Sequence, residues 1–329
     1  MKHIKSYDFL RTFIFCLLTF TNGITFAQSD FPNKLINLVC PYPPGGAVDQ
    51  AARSIAQSLF KVWNQPVVVN TKPGAGGAIG MQAVANASPD GYTLLVTAPA
   101  LLSVPESDRL FGKTPPFERS QFTPLALLSA DPVLFVVKAD GPWKTFEEFV
   151  TYAKRNPDKV PYSSSGNYSN IHLPVEMVAQ SAGIKLQHIP YSGGGPAITA
   201  VLGGQVAMTA GVPGVVLPQV KAGTLRALLT TGAKRHPQFP DIPTALELGY
   251  KNAEFYLWAG IFAPAKTPDQ LVQKIRNDIS RAVQDIEYLQ SSEKMGVIVD
   301  YRDGKDFNDF LNKDQERISN TIKRIGKIE

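Results

Sequence analysis

Cysteine is nearly absent from this 329-residue chain, which carries only Cys16 and Cys40. Cys16 lies in the apolar run Phe13-Ile14-Phe15-Cys16-Leu17-Leu18-Thr19-Phe20, preceded by Lys2, Lys5 and Arg11 and followed by Thr25-Phe26-Ala27. A basic head, a short apolar centre and small residues at the last and third-last positions form an export signal, with cleavage expected after Ala27. Ile14 and Phe15 are too bulky for the approach to a lipid-modified cysteine. Beyond that segment Cys40 stands alone, which excludes an internal disulfide framework in an oxidising compartment, so packing must hold the fold. Cys40 closes the apolar run Leu35 to Cys40 and is read as a small buried hydrophobe. Long apolar runs are also missing: nothing later reaches the roughly 20 residues a membrane span needs, and the mature chain is expected to be soluble.

Charge of one sign is missing too. Losing Lys2, Lys5, Arg11 and Asp8 with the signal takes the net charge from +5 to +3, and the basic residues are dispersed, with those near Lys313 to Lys327 mixed with acids. Nucleic-acid binding is excluded on that ground. There is no Gly-x-Ser-x-Gly elbow, no His-Glu-x-x-His and no Cys-x-x-Cys. Only His172, His188 and His236 survive signal removal. No metal, cofactor or catalytic constellation is called for; a hydrolase would need Ser164 or Ser165 to meet His172 in space.

What is present is alternation. About 300 residues suggest two domains. Strands at Ile36 to Cys40, Val67 to Val69 and Tyr92 to Thr97 alternate with helices at about Val48 to Val62 and Ile79 to Asn86, which argues for a parallel sheet covered by helices. A Pro-rich stretch around Lys113 to Phe117 precedes an extended segment, Thr123 to Lys138, read as a crossing strand. A second series follows: a helix at Thr145 to Arg155 with Thr145 and Glu148 as its capping pair, strands at Val160 to Ser163, Leu186 to Pro190 and Val206 to Thr209, and helices at Ser169 to Ala182 and Gly195 to Leu202. Leu225 to Thr230 is read as the return crossing. A strand at Phe255 to Phe262, a helix opened by Thr267-Pro268 and a helix at about Lys305 to Lys323 complete the chain. The expected organisation is a signal at 1–27, lobe 1 from 28–125 and 230–329, and lobe 2 from 126–229, inserted by two crossings so that a hinged ligand cleft lies between lobes.

Ligands in such sheets bind beyond the carboxyl ends of the strands. The first such loop is Pro41-Tyr42-Pro43-Pro44-Gly45-Gly46-Ala47-Val48-Asp49. Prolines stiffen it, glycines allow close backbone approach, and the helix start offers unpaired N–H groups with partial positive charge, a fit for a carboxylate. The alternative is an ordinary turn in which Asp49 caps the helix. The glycines of Lys72-Pro73-Gly74-Ala75-Gly76-Gly77-Ala78-Ile79-Gly80 loosely resemble a dinucleotide turn, but the next strand ends at Thr97-Ala98 without the acid that motif needs, so close helix packing is expected instead. In the second lobe, Ser163-Ser164-Ser165-Gly166-Asn167-Tyr168-Ser169-Asn170-Ile171-His172 places hydroxyls and amides at a strand end; His172 alone is also read as a structural histidine. Ile189-Pro190-Tyr191-Ser192-Gly193-Gly194 is a third such turn. The ligand-binding candidates are therefore Tyr42, Pro44, Gly45, Gly46, Ala47, Val48, Asp49, Thr97, Ser164, Ser165, Asn167, Ser169, His172 and Tyr191.

These loops resemble those of the tripartite tricarboxylate transporter receptors, also called Bug proteins. The resemblance covers nearly the whole mature chain and rests on Pro41 to Gly46 with Asp49 and Ala52-Arg53; Lys72 to Gly77 with Ile79-Gly80; Ser88-Pro89-Asp90-Gly91-Tyr92-Thr93-Leu94-Leu95; Pro161 to Gly166; His172-Leu173; Pro190-Tyr191 with Gly195-Pro196-Ala197; and Leu202-Gly203-Gly204-Gln205-Val206. It implies a two-lobed fold like the type II periplasmic binding proteins and a monomer. It further implies that the protein closes on a small carboxylate and delivers it to a permease of one large and one small membrane subunit, with no catalysis. A ligand sensor for a membrane receptor, and an exported hydrolase, are the alternatives. Two departures stand out. The family usually has Asp after Gly-Gln-Val, where Ala207 stands, and Gly-x-Gly-Ser where Gly166-Asn167-Tyr168-Ser169 stands. An acid lost near the cleft and space filled by Tyr168 would point to a solute that is neither an amino acid nor the family's commonest dicarboxylate.

Overall fold

The computed structural model describes residues 31–328, so the signal segment and its cleavage point after Ala27 lie outside the described residues. From Lys34 onward the chain forms one compact unit. Strand β1 (Ile36–Cys40) is apolar along nearly its whole length because both of its faces are covered, and it pairs in parallel with β2 (Val67–Thr71) and with β3 (Thr93–Thr97). Helix α1 (Ala47–Trp63) joins β1 to β2, burying Val48, Ala52, Ile55, Ala56, Leu59 and Trp63 at three- and four-residue spacing. Helices α2 (Ala78–Ala85) and α3 (Ala100–Leu110) follow β2 and β3.

The segment from Thr123 to Lys138 is two strands, not one. β4 (Phe122–Pro132) belongs to the first sheet and β5 (Leu134–Lys138) to the second, and the break falls at Val133. Two hydrogen bonds there join the outgoing chain to the returning one: Val133 N–H donates to the Thr231 hydroxyl and Thr231 N–H to the Val133 carbonyl, both at 2.9 Å. The Thr231 hydroxyl in turn donates to the Phe255 carbonyl at 2.6 Å. Between the crossings come α4 (Phe146–Arg155), β6 (Pro161–Ser164), α5 (His172–Ala182), β7 (Gln187–Pro190), α6 (Gly194–Leu202), β8 (Met208–Gly211), α7 (Pro213–Lys221) and β9 (Leu225–Thr230). Afterwards come β10 (Tyr256–Pro264), α8 (Asp269–Ala282), α9 (Ile286–Lys294), β11 (Val299–Asp303) and α10 (Gly304–Ile325).

The first sheet has the order β11-β4-β10-β3-β1-β2 and the second β7-β6-β8-β5-β9. Each lobe therefore holds a parallel triplet, β2-β1-β3 or β7-β6-β8, whose carboxyl ends lead into helices. Buried indole–carboxylate bonds fasten helices to the first sheet's layer: Trp63 Nε1 donates to Asp278 at 2.6 Å, joining α1 to α8, and Trp258 Nε1 to Asp314 at 2.7 Å, joining β10 to α10. No helix among the described residues is long and apolar enough to cross a membrane.

Candidate functional site

The turn between β1 and α1 is held from within. Gly45, at φ +85°, donates its N–H to Asp49 Oδ2 at 2.9 Å, and Arg53 Nε meets the same oxygen at 2.9 Å. Burial opposes the charge on Asp49, but the Arg53 and Gly45 hydrogen bonds outweigh it and hold the carboxyl below its ordinary range. Asp49 does not cap the helix N–H groups, as the alternative had it, but pins the preceding turn at Gly45 and pairs with Arg53. The first N–H to close on the helix is that of Gln50, on Gly46 O at 2.9 Å. Those of Ala47, Val48 and Asp49 emerge from the helix end, behind a loop whose Pro43, Pro44, Gly45 and Gly46 are exposed.

Beneath this turn the glycine-rich stretch supplies close packing. A Cβ on Gly80 would stand 2.8 Å from Lys72 O and 2.8 and 2.9 Å from Pro41 Cβ and Cα, and one on Gly77 would stand 3.3 Å from the Tyr42 ring. The start of α2 therefore lies flush against Pro41-Tyr42 and fixes the direction of the Tyr42 side chain. Tyr42 Oη lies 3.3 Å from Thr97 Oγ1, at the end of β3, and beside the Asn170 side chain of the second lobe. Burial raises the Tyr42 phenol well above its ordinary value, so it stays a neutral donor. Asn170 Oδ1 is buried without a partner.

In the second lobe the candidates divide. Ser164 is fully buried: its hydroxyl bonds to the N–H and carbonyl of Gly166, at 3.1 and 3.0 Å, and lies 2.6 Å from Nε2 of His188. The hydrolase alternative paired a serine with His172; the structure gives Ser164 a different histidine and no exposed surface. His172, 1% exposed, accepts the Tyr168 N–H on Nδ1 at 2.9 Å, which makes it the structural histidine read as one possibility. Ser169 Oγ accepts the His172 N–H at 3.2 Å at the start of α5. Tyr191 turns its hydroxyl to Gln205 Oε1 at 3.4 Å. Ser165 is half-buried and Asn167 exposed on the same loop.

A second contact between the lobes flanks the α1 terminus. One cavity is lined by Ala47 and Val48 of α1, by Val212 and Gly214 at the start of α7, and by Ser129 and Asp131 of β4. The approach is close: a Cβ on Gly214 would stand 2.7 Å from the Met295 carbonyl oxygen. The start of α1 is thus bracketed by the second lobe, with Asn170 at Tyr42 and Gly214 near Val48. Sequence reasoning missed Asn170, Asp131 and Gly214 as site residues. The available signals were an amide beside Ser169 and a lone acid in the apolar run of β4.

Both departures from the family pattern need correction. Ala207 precedes β8, donating its N–H to Pro161 O at 2.9 Å, at the start of β6. It stands at the opposite end of the sheet from Ser164 and Gly211, away from the loop that follows β6. Tyr168, at φ +54°, is buried against Phe111 and His172, and its hydroxyl donates to Gly326 O at 2.7 Å and accepts from Ile328 N–H at 3.1 Å. The space it fills lies between the loop and the C-terminal residues. No group of three or more His, Cys, Asp or Glu side chains among the described residues is placed to hold a metal ion.

The model of the tripartite tricarboxylate transporter family receptor matches residues 51–327. The chain is similar to the solved periplasmic binding protein BugD, with 30% identity, a TM-score of 0.79, and coverage of 90% of this chain and 99% of that one. It is also similar to MatC from Rhodopseudomonas palustris, solved with bound malate (28% identity, TM-score 0.79, coverage 88% and 99%). A third similar structure, from R. palustris with adipate, shares 26% identity at a TM-score of 0.80 and coverage of 88% and 98%.

Proposed function

Because the chain belongs to the tripartite tricarboxylate transporter receptor family, we propose that it captures a small carboxylate between its lobes and delivers it to a membrane permease of one large and one small subunit. The observation that carries this reading is the start of α1, whose emerging N–H groups lie between the Tyr42–Asn170 contact and a cavity that Val48 lines together with Val212 and Gly214 of the second lobe. One carboxylate of the solute takes the N–H groups from Gly46 to Asp49. Tyr42, Thr97, Ser165 and Asn170 supply neutral hydrogen bonds around it, replacing its hydration without a fixed countercharge. Asp49, Ser164 and His172 shape the loops from inside and do not touch the solute.

Malate and adipate, the acids in two similar structures, make a dicarboxylate the first choice. The N-terminal signal sends the protein to the periplasm, where it acts as a monomer and leaves the solute chemically unchanged.

Thermal unfolding of the mature protein, refolded once to remove carried-over solute, tests this against malate, adipate, tricarboxylates, aromatic acids, amino acids and the corresponding amides. An acid at 100 times its Kd stabilises the fold by about 2.7 kcal/mol, a shift of several degrees. The reading predicts that at least one acid shifts the transition and its amide does not. Shifts produced only by neutral compounds would sink the helix-end argument.

A further inference from the structure

Two histidines to which the solute reading gives no solute contact lie directly under the second-lobe loop. His188, on the edge strand β7, and His172, in the first turn of α5, stack with ring centroids 4.1 Å apart and planes 18° from parallel. The Tyr162 ring lies beside both, 5.0 Å from His188 and 6.4 Å from His172.

One proton assignment satisfies every hydrogen-bond contact of these rings. The Ser164 hydroxyl has one proton and three partners: the carbonyl of Gly166 at 3.0 Å, the N–H of Gly166 at 3.1 Å and His188 Nε2 at 2.6 Å. An N–H can only donate and a carbonyl only accept, so in the assignment that satisfies all three contacts Ser164 gives its proton to Gly166 O and His188 Nε2–H donates to Ser164 Oγ. His172 Nδ1 accepts the Tyr168 N–H at 2.9 Å, so its proton is on Nε2 as well. Both rings are then neutral and carry the proton on the same nitrogen. Burial favours that state, lowering His188 to about 4 and, with help from its neighbour, His172 to about 3.

The loop needs such support. Gly166 sits at φ +121° and Tyr168 at φ +54°, the second a conformation that a bulky L-residue rarely adopts. We infer that the stacked pair positions the loop 164–170 at two points, His188 acting through Ser164 on Gly166 and His172 acting directly on Tyr168. This rests on the reading of that loop as a wall of the solute cleft. Neither histidine touches the solute; both are positioning residues, and together they set the directions of the Ser165 and Asn170 side chains.

Residue-resolved amide hydrogen exchange on the solute-free full-length mature protein at pH 7 tests the inference, and it needs no knowledge of the solute. A failure of the carboxylate reading would leave this measurement untouched. His188→Leu keeps the packing but removes the donor, and should speed exchange at Gly166 by about fivefold, the loss of one ordinary hydrogen bond. Strand β6 and the rest of α5 should keep their protection. His188→Gln, whose side-chain amide can place an N–H where imidazole Nε2 stands, should restore Gly166. Ser164→Ala, a gentler change should the leucine variant not fold, should release Gly166 and leave Tyr168 protected. The inference is overturned if Gly166 in Ser164→Ala exchanges as in wild type, if His188→Gln behaves as His188→Leu does, or if loop and strand amides accelerate together.

Discussion

Asp131→Asn probes the electrostatics of the seam between the lobes. Asp131 is 6% exposed and accepts one hydrogen bond, from Ile298 N–H at 2.8 Å. The cavity beside it is lined by apolar, hydroxyl and amide side chains with no other charged residue. Burial pushes its carboxyl up to about 7, with the Ile298 bond pulling the other way. An aspartate in the unfolded chain titrates near 3.9, so between about pH 4 and pH 7 the folded protein holds a proton that the unfolded chain has released. The folded value being the higher, no penalty exists below the unfolded one, and stability falls as pH rises through the window. The fall is about 1.4 kcal/mol per unit, or about 4 kcal/mol in all. Asparagine keeps the acceptor for Ile298 and cannot ionise. The variant should therefore match wild type near pH 4 and exceed it by about 4 kcal/mol at pH 8, the gap opening between the two pKa values. Urea unfolding at half-unit pH steps measures the difference. Asp314, raised by burial to about 6, bends both curves in the same direction and cancels. Parallel curves from pH 4 to pH 8 would refute the reasoning, because they would mean that Asp131 is as well solvated in the fold as in the unfolded chain.

The remaining predictions concern close approaches and one tether. Gly80→Ala places a Cβ within 2.9 Å of backbone at Lys72 and Pro41 and should destabilise the fold by about 1–3 kcal/mol in urea while weakening solute binding through the displaced Tyr42. Gly214→Ala sets a Cβ 2.7 Å from the Met295 carbonyl across the seam; on the proposed reading, opening of the lobes relieves that clash. The solute-free unfolding transition should stay near wild type while the shift produced by a bound acid shrinks, and an undiminished shift would show that closure does not need this contact. Tyr168→Phe removes the hydroxyl that holds Gly326 and Ile328, and should cost about 1–3 kcal/mol, at about 0.5–1.5 for each hydrogen bond. Faster exchange of the Ile328 amide is its signature.

Sequence periodicity located the elements that carry clear patterns and lost those that do not. Strands β1 and β3 were visible because a strand in the sheet interior, covered on both faces, reads as an apolar run, and α1 and α10 because their apolar faces recur every three or four residues. Helix α3 was missed: Pro105 interrupts it and its second half is polar. Helix α7 begins at Pro213 and holds Pro218, residues that ordinarily signal a turn. Strand β11 packs along the sheet edge with every residue partly exposed, so no alternation marks it. At the site, the turn at Gly45-Gly46 was legible because glycine and a helix start together imply a specific backbone geometry. What was not legible was direction. Ser164, Ser165 and Ser169 look alike in the sequence, yet one faces a histidine, one lies half-exposed on the loop and one caps a helix. Ala207 drew attention through its residue type, while its place just before β8 sets it at the opposite end of the sheet from Ser164.

The distribution of charge explains why two lobes are needed. The cation adjoining the α1 terminus, Arg53, is paired with Asp49, so the turn is locally neutral and the attraction for an anion falls to the helix dipole and to hydroxyl and amide groups. One helix end contributes about 0.3–1 kcal/mol when exposed and up to about 2 when partly buried. On the proposed reading, an open lobe therefore holds a carboxylate weakly, and affinity grows as the second lobe excludes water and brings Asn170 and the loop behind Ser165 into reach. A receptor built in this way ties affinity to closure. On the same reading, release follows when the lobes are drawn apart, without a salt bridge to break, and a lysine introduced at the proposed cleft wall should tighten binding at the expense of that release.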